Sequence, residues 1–513
     1  MKPVNKSLVA LSAIIAFFTG ARGASALQPP REGELTELAA QGKLAERQAF
    51  AVALGNNRFH PALVEGMMKR LGGPSAQMGP GYLLRKASLP ATGSPKVLVL
   101  LIEFPDYPRS NDRSLVDSRI FGDGDPAHFP RESLTNYYER SSYGQLHIEG
   151  TVLPWYMAQN NRHLYTTNME GLIVEALNSF DSTHDFSQYD GDGDGEIEYF
   201  CVCWTGPPGA WASEWWASFR QFSNGAYTLD GKRLGGYSWQ EEIGAPGGMF
   251  HPKVLIHETG HALGLADYYD YDRDVGPDGG VGGIDTMDAK NNDHCCLSKF
   301  LLGWIEPRVL SSSADNGTLT LRYSAENPDA AIILPAFPWP YAEFFMVQNR
   351  SRGKHDNDFD FPHSWEDDYP GNGLVIWHVD MTTTVTPQGD TVFLYDNSYT
   401  DHKFLRLVQA DGRDHIELQS GIAESNDFFW SPEYTEFTGS TNPASTRYSG
   451  AQTDISITEI SAPGDTMTAN VQFPVYEIVG LSERRFVAYL VLLLLAIGIA
   501  AIGKARTTSS RSD

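Results

Sequence analysis

The sequence predicts an α+β protein with two successive folded regions, a mixed helix–strand block at 93–309 and a β-rich, sandwich-like region at 310–474. Three observations carry this. Lys96 to Phe104 (KVLVLLIEF) is a near-continuous apolar run and reads as a buried strand. Val254 to Leu265 carries apolar residues at helical spacing later in the same block. After Pro307 the pattern turns to short alternating stretches between turn-rich segments, the pattern of a sandwich. A chain of 513 residues has room for two sizeable domains plus terminal segments.

Residues 1–26 read as a secretory signal: Lys2 and Lys6 precede an apolar stretch from Leu8 to Phe18, and Ala24-Ser25-Ala26 is an A-x-A cleavage site. The run is short for a membrane anchor, the alternative. Residues 27–92 are Ala-, Leu- and Glu-rich with helical spacing and end in a Gly/Pro/Ser loop, Gly72 to Pro95. A helical leader in this position reads as a propeptide, with an ordinary helical subdomain as the alternative. In the first block, Ser133 to Arg140 reads as a helix and Leu146 to Val152 as a strand. In the second, Thr318 to Tyr323, Phe344 to Val347, Gly373 to His378 and Phe404 to Val408 read as strands. A linker at 475–485 leads to an apolar run at 486–503 and a short basic tail at 504–513. That run makes about 27 Å of helix, enough to cross a hydrocarbon core nearly upright. Arg484 and Arg485 precede it, and Lys504 and Arg506 follow it. The expectation is an extracellular protein tethered by a C-terminal membrane helix. A sorting signal removed after export is the alternative.

The formal net charge is -25. It falls further when Lys2, Lys6 and Arg22 leave with the signal. Such an acidic surface excludes nucleic acid as a partner and suits hard cations. The 4 cysteines fall into two close pairs, Cys201/Cys203 and Cys295/Cys296. An oxidising compartment predicts one bridge between the pairs, with a C-x-C/C-C metal site as the rival.

The string HPKVLIHETGHALGLADYYD holds most of the chemistry. His257 and His261 are four apart, so on a helix they share a face and can bind one metal ion. Glu258 then lies beside the ion, where a general base can take a proton from the attacking water. Gly264 can end the helix in a left-handed turn that swings Asp267 back as a third ligand. Three protein ligands leave a coordination position open, the mark of a catalytic zinc site. Chance gives about 0.02 H-E-x-x-H matches in a chain of this composition, and the Gly and Asp offsets lower that further.

Asp190, Asp192 and Asp194, in YDGDGDGEIEY, have the 1-3-5 spacing of a calcium loop, with Gly195 at the sharp turn. Cys201 stands where the bidentate acid of an EF-hand belongs, so Glu198 or a distant acid must close the shell. A Gly-rich loop, 276–283, leads into Ile284-Asp285-Thr286-Met287. Met287 is a candidate for the apolar turn beneath the metal in a zincin-type domain. Trp211, Trp215 and Trp216 read as core or as cleft lining, and His294 and His378 as structural. No phosphate loop or nucleophilic serine motif is present.

With these motifs in hand, the chain resembles the immune inhibitor A family of secreted metalloendopeptidases. The resemblance runs from KVLVLLIEFPD and LTNYYERSSYGQLHIEGTVLPWY through the Asp/Gly loop, HETGHALGLADYYD, GGIDTMD and SKFLLGWIEP to PGNGLVIWHVD and LVQADG. It implies a zincin-type catalytic domain with zinc on His257, His261 and Asp267 and with Glu258 as base. It also implies structural calcium and proteolysis of protein substrates. The sequence departs from the family at Ile284, where Trp is common, at Gln348, where Glu is usual, and after Cys201, where a His-Ala-Gly string is expected. These departures bear on substrate preference. Two rivals stay open, a binding protein that keeps a protease fold and a zinc hydrolase acting on something other than peptide. The sequence sets no oligomeric state.

Overall fold

Val97 to Glu103 is buried without interruption because the strand they form is covered on both sides. A computed structural model describes residues 33–71, 87–125, 132–243, 248–271, 280–288, 292–335, 342–352, 369–398, 402–420 and 422–474. The expected signal at 1–26 and the apolar run at 486–503 lie outside these residues. Among the described residues no helix is long and apolar enough to cross a membrane.

The leader folds as three helices, α1 (Glu34–Ala40), α2 (Leu44–Leu54) and α3 (Pro61–Arg70). The first block contains β1 (Lys96–Glu103), α4 (Arg113–Ile120), α5 (Leu134–Ser141), β2 (Glu149–Val152), β3 (Tyr156–Met157), α6 (Met169–Asn178), β4 (Glu196–Trp204), β5 (Ser218–Gln221), β6 (Thr228–Leu229), β7 (Lys232–Glu241), α7 (Lys253–Ala262) and α8 (Cys296–Leu301). Ser133 caps α5 by accepting the Asn136 N–H, as its residue type favours. The segment from Leu146 is strand only from Glu149 onward, with a single bridge from Leu146 to Gly93.

One sheet runs β2-β1-β4-β7-β5. The first four strands are parallel, and β5 joins the edge antiparallel to β7. Alternation decides which side chains go where. Val97, Val99 and Leu101 enter the core beneath α7, and Leu98, Leu100 and Ile102 enter the core beneath α6. The helix bearing His257 therefore rests on the sheet beside its antiparallel edge.

The second block contains β8 (Arg308–Leu310), β9 (Gly317–Arg322), β10 (Ala331–Ile333), β11 (Glu343–Arg350), β12 (Gly373–Asp380), β13 (Thr383–Val385), β14 (Thr391–Phe393), β15 (Leu405–Leu407), β16 (Ser456–Thr458) and β17 (Thr466–Gln472). A five-stranded sheet, β15-β12-β11-β10-β8, and a three-stranded sheet, β16-β17-β9, share one core. Phe345, Val347, Leu374 and Ile376 meet Leu319, Leu321, Met467 and Val471 there. The other face of the larger sheet, through Phe344, Met346, Val375 and Trp377, enters the core of the first block. A sheet covered on both faces loses the in–out alternation of a half-exposed one, whereas β17 keeps it.

Candidate active site

The chemistry of α7 depends on how the helix ends. Gly264 adopts φ 100°, a left-handed conformation that glycine reaches without steric cost. The Gly264 N–H donates to His261 O, and the Leu265 N–H donates to Gly260 O, which together form a Schellman cap. The cap turns Leu265 O back onto the helix, where it faces His261 Nδ1 at 2.9 Å. Thr286 O faces His257 Nδ1 at 2.7 Å. Each carbonyl accepts the Nδ1 proton, so both Nε2 atoms keep their lone pairs and point the other way.

They point at Asp267. His257 Nε2 lies 2.9 Å from Asp267 Oδ1, and His261 Nε2 lies 3.3 Å from the same oxygen. Asp267 Oδ1 and Glu258 Oε2 are buried without a hydrogen-bond partner. Two lone-pair nitrogens and an unsatisfied carboxylate facing one another fit a divalent cation. His257, His261 and Asp267 each offer a ligand atom within 4.8 Å of the others. Burial opposes the Asp267 charge, but positive charge at His261 and then His257, the place a bound ion would take, outweighs it and holds the carboxyl below its usual range. Glu258 goes the other way. Burial pushes it up to about 8, helped by the Asp267 charge and opposed by His257. Two carboxylates on one site whose environments drive them apart suit a ligand and a base.

Met287 is fully buried beneath α7. A Cβ added at Gly260 would lie 2.3 Å from Met287 Sδ, so the helix and the turn touch at a residue with no side chain. Asp285 Oδ1 accepts the Met287 N–H, and Met287 O accepts the Tyr268 N–H. Tyr271 was not among the residues expected from the sequence. Its hydroxyl donates to Asp267 Oδ2 and so orients the carboxylate. A tyrosine four residues past the acid was the available signal. Of the two tyrosines whose position suits an oxyanion donor, Tyr268 pairs with Ser298 Oγ at 2.8 Å, and the Tyr269 hydroxyl faces that of Tyr271 at 3.5 Å.

The leader crosses this site. Asn56 O accepts the Asp267 N–H at 2.7 Å, and the His60 N–H donates to Gly264 O at 2.9 Å. Leu35, Leu38 and Ala51 pack with Trp211, Trp216, Tyr269 and Tyr271. The cleft that reaches His261 is walled in part by Leu54, Gly55 and Asn56 and by Arg58, Phe59, His60 and Pro61. Val64, Met67 and Met68 of α3 go further and enter the main core. Trp215 stands apart, with the Arg162 guanidinium 4.1 Å from its ring centroid.

The structure also gathers Asp190, Asp192 and Asp194, with ligand atoms within 4.8 Å. Glu198 faces the loop and accepts the Gly191 and Asp192 N–H groups. Lys232 Nζ sits 2.6 Å from Asp190 Oδ2 and already neutralises part of the charge. The expected disulfide is absent. All four cysteines are free and buried. Cys201 and Cys203, two apart on β4, point to one face and pack in the main core, as do Cys295 and Cys296. His378 meets Glu343 Oε1 at 2.9 Å, and His294 packs among Tyr137, Tyr138 and Trp304. Neither joins a metal-ligating group among the described residues.

No family model matches the chain. It is 26% identical to Immune inhibitor A of Bacillus thuringiensis subsp. alesti over a stretch that covers 34% of this chain and 34% of that protein. The chain thus spans about a third of that relative's length. The crystal structure of metalloproteinase-II from Bacteroides fragilis aligns with 12% identity over 44% of this chain and 54% of that one, at a TM-score of 0.19, too low to carry an argument.

Proposed function

We propose that this protein is a zinc metalloendopeptidase that hydrolyses peptide bonds of protein substrates. The observation that carries the reading is the convergence of His257 Nε2 and His261 Nε2 on Asp267 Oδ1, with Glu258 buried beside them. His257, His261 and Asp267 would hold the ion, which when bound supplies Lewis acidity toward a carbonyl and toward water. Glu258 takes the proton of the attacking water and returns it to the leaving amine. Thr286 O and Leu265 O hold the imidazoles in one tautomer, Tyr271 fixes the carboxylate, and Met287 closes the site from below. The zinc-loaded chain, freed of its leader, should cleave casein or gelatin. A protein that binds zinc there and cleaves neither, nor any member of a peptide library, would return the reading to a non-peptide hydrolase.

The leader is a cover that must leave. Its contacts with Asp267, Gly264, Trp211 and Tyr271 occupy the cleft side of the site. It contains no Cys, so it inhibits by filling space and not through a thiolate on the metal. The N-terminus of the active form should map between residues 72 and 95. Full activity in a chain that still begins at Leu27 would show the helices to be an ordinary subdomain.

Calcium is the ion assigned to Asp190, Asp192 and Asp194, with Glu198 as a further acid. An ion bound only by the native state stabilises it by mass action. Chelating calcium should lower the melting temperature with zinc still in place. If Asp192→Ala melts like the wild type in both calcium and chelator, the loop holds no ion and Lys232 suffices.

A further inference from the structure

A third cluster lies 4 to 20 residues past the end of β15 and far along the chain from His257. Asp411, His415 and Asp427 sit on the segment that follows β15 and returns to Phe428. Each offers a ligand atom within 4.8 Å of the other two. Their side chains are 4%, 5% and 0% exposed. Each carries one buried polar atom without a hydrogen-bond partner: Asp411 Oδ2, His415 Nδ1 and Asp427 Oδ1.

The partners of the remaining atoms sharpen the picture. Asp411 Oδ1 accepts the Arg413 N–H, and Asp427 Oδ2 accepts the Glu424 N–H. His415 Nε2 lies 3.1 Å from Ile422 O, which can only accept, so the proton is on Nε2 and Nδ1 keeps its lone pair. A ligating histidine is held in the same way, one nitrogen tied to a carbonyl and the other left for the ion. The rival is an imidazolium paired with Asp427, since Nε2 lies 3.5 Å from Asp427 Oδ2. That state would bury a second N–H, on Nδ1, with nothing to receive it. Arg413 Nε comes within 3.3 Å of Asp411 Oδ2, but its side chain is 64% exposed, and water screens its charge.

We propose that Asp411, His415 and Asp427 form a further metal site, distinct from the catalytic and calcium sites, that takes a divalent transition ion such as Zn²⁺ or Mn²⁺. Two carboxylates and an imidazole suit such ions better than they suit Ca²⁺ or Mg²⁺, which prefer oxygen alone. The ion braces the segment against the catalytic floor. Within that segment the Ala423 N–H donates to Gly282 O at 2.9 Å, and the Ala410 N–H donates to Asp427 O at 3.1 Å. A Cβ at Gly282 would meet Ala423 N and Ile416 Cδ1, each at 2.8 Å, so the segment presses directly on the loop that leads to Met287.

The site stands independently of the catalytic reading, and the test separates them. The probes are Zn²⁺ alone and Mn²⁺ alone, added to the metal-stripped full chain, with stoichiometry read by elemental analysis and Mn²⁺ by electron paramagnetic resonance. Wild type should bind two equivalents of Zn²⁺. His261→Ala should keep one, and that one should raise its melting temperature. His415→Ala and Asp427→Asn should each drop from two to one while keeping the ion on His257. No bound equivalent in His261→Ala overturns the proposal and leaves the His415–Asp427 ion pair. Two equivalents in folded His415→Ala overturn it as well. Should the substituted chains fail to fold, the His261→Ala titration decides alone, because it leaves all three proposed ligands in place.

Discussion

Glu258→Gln is expected to yield a folded protein that binds zinc stoichiometrically and cleaves casein about 10²- to 10⁴-fold more slowly, the range that positioned acid–base catalysis supplies. The substitution keeps the shape of the side chain and removes only its ability to take a proton. Glu258 Oε2 lies buried with no hydrogen-bond partner, so no donor competes for it. Burial holds the carboxyl up to about 8 in the metal-free site. A bound cation favours the ionised form, which makes Glu258 available as a base at neutral pH in the loaded enzyme. Because Glu258 is no ligand, zinc content should match wild type, whereas His261→Ala should lose the zinc held on α7 together with the activity. Metal analysis and casein kinetics on the same preparation check both halves. Wild-type rates in pure Glu258→Gln protein would remove the base assignment.

Asp293→Ala should cost about 3–5 kcal/mol of stability, the penalty for leaving buried charge unpaired. Asp293 Oδ2 lies 2.6 Å from Lys299 Nζ, and Asp293 Oδ1 lies 3.3 Å from Arg140 Nη1. Both lysine and aspartate side chains are 2% exposed, so water cannot replace the lost partner. Burial alone would raise the Asp293 carboxyl, but Lys299, Arg140 and Arg350 outweigh it and hold it well below the usual carboxylate range. A depressed carboxylate contributes its full stability above the unfolded value, about 3.9, and loses it as pH falls through the folded value. The gap between wild type and Asp293→Ala should therefore be full at pH 7 and shrink below about pH 4. Denaturant midpoints at the two pH values measure this. A variant that unfolds with wild type at pH 7 would show that the charges find water after all.

The legible parts of this molecule are those whose causes are local. The spacing of His257, Glu258, His261, Gly264 and Asp267 lies within one helix and its cap, so the sequence reading and the observed geometry coincide there. Strands β11, β12 and β15 appear within a few residues of the stretches that predict them, since β-branched and aromatic runs mark them. The carbonyls of Thr286 and Leu265 left no trace, because every residue has a carbonyl and only the fold aims it. Asp293, Lys299 and Arg140 come together across more than 150 residues of chain, beyond any periodicity. Composition marks the leader as a segment but carries no trace of Met67 and Met68 packing in the main core, a contact made only in the folded chain. The expected disulfide failed for a different reason. Compartment chemistry states what thiols can do, whereas β4 puts Cys201 and Cys203 side by side on one face and packs both away from oxidant.

Those four thiols have a practical consequence. Burial pushes Cys201 up to about 12 and raises Cys203, Cys295 and Cys296 as well, so none is a ready nucleophile while the chain is folded. The fold needs no oxidant to assemble and tolerates a reducing medium. Alkylating reagents will find these sulfurs only when the sheet and α8 part from each other, which makes the rate of labelling a clock for the opening of the core.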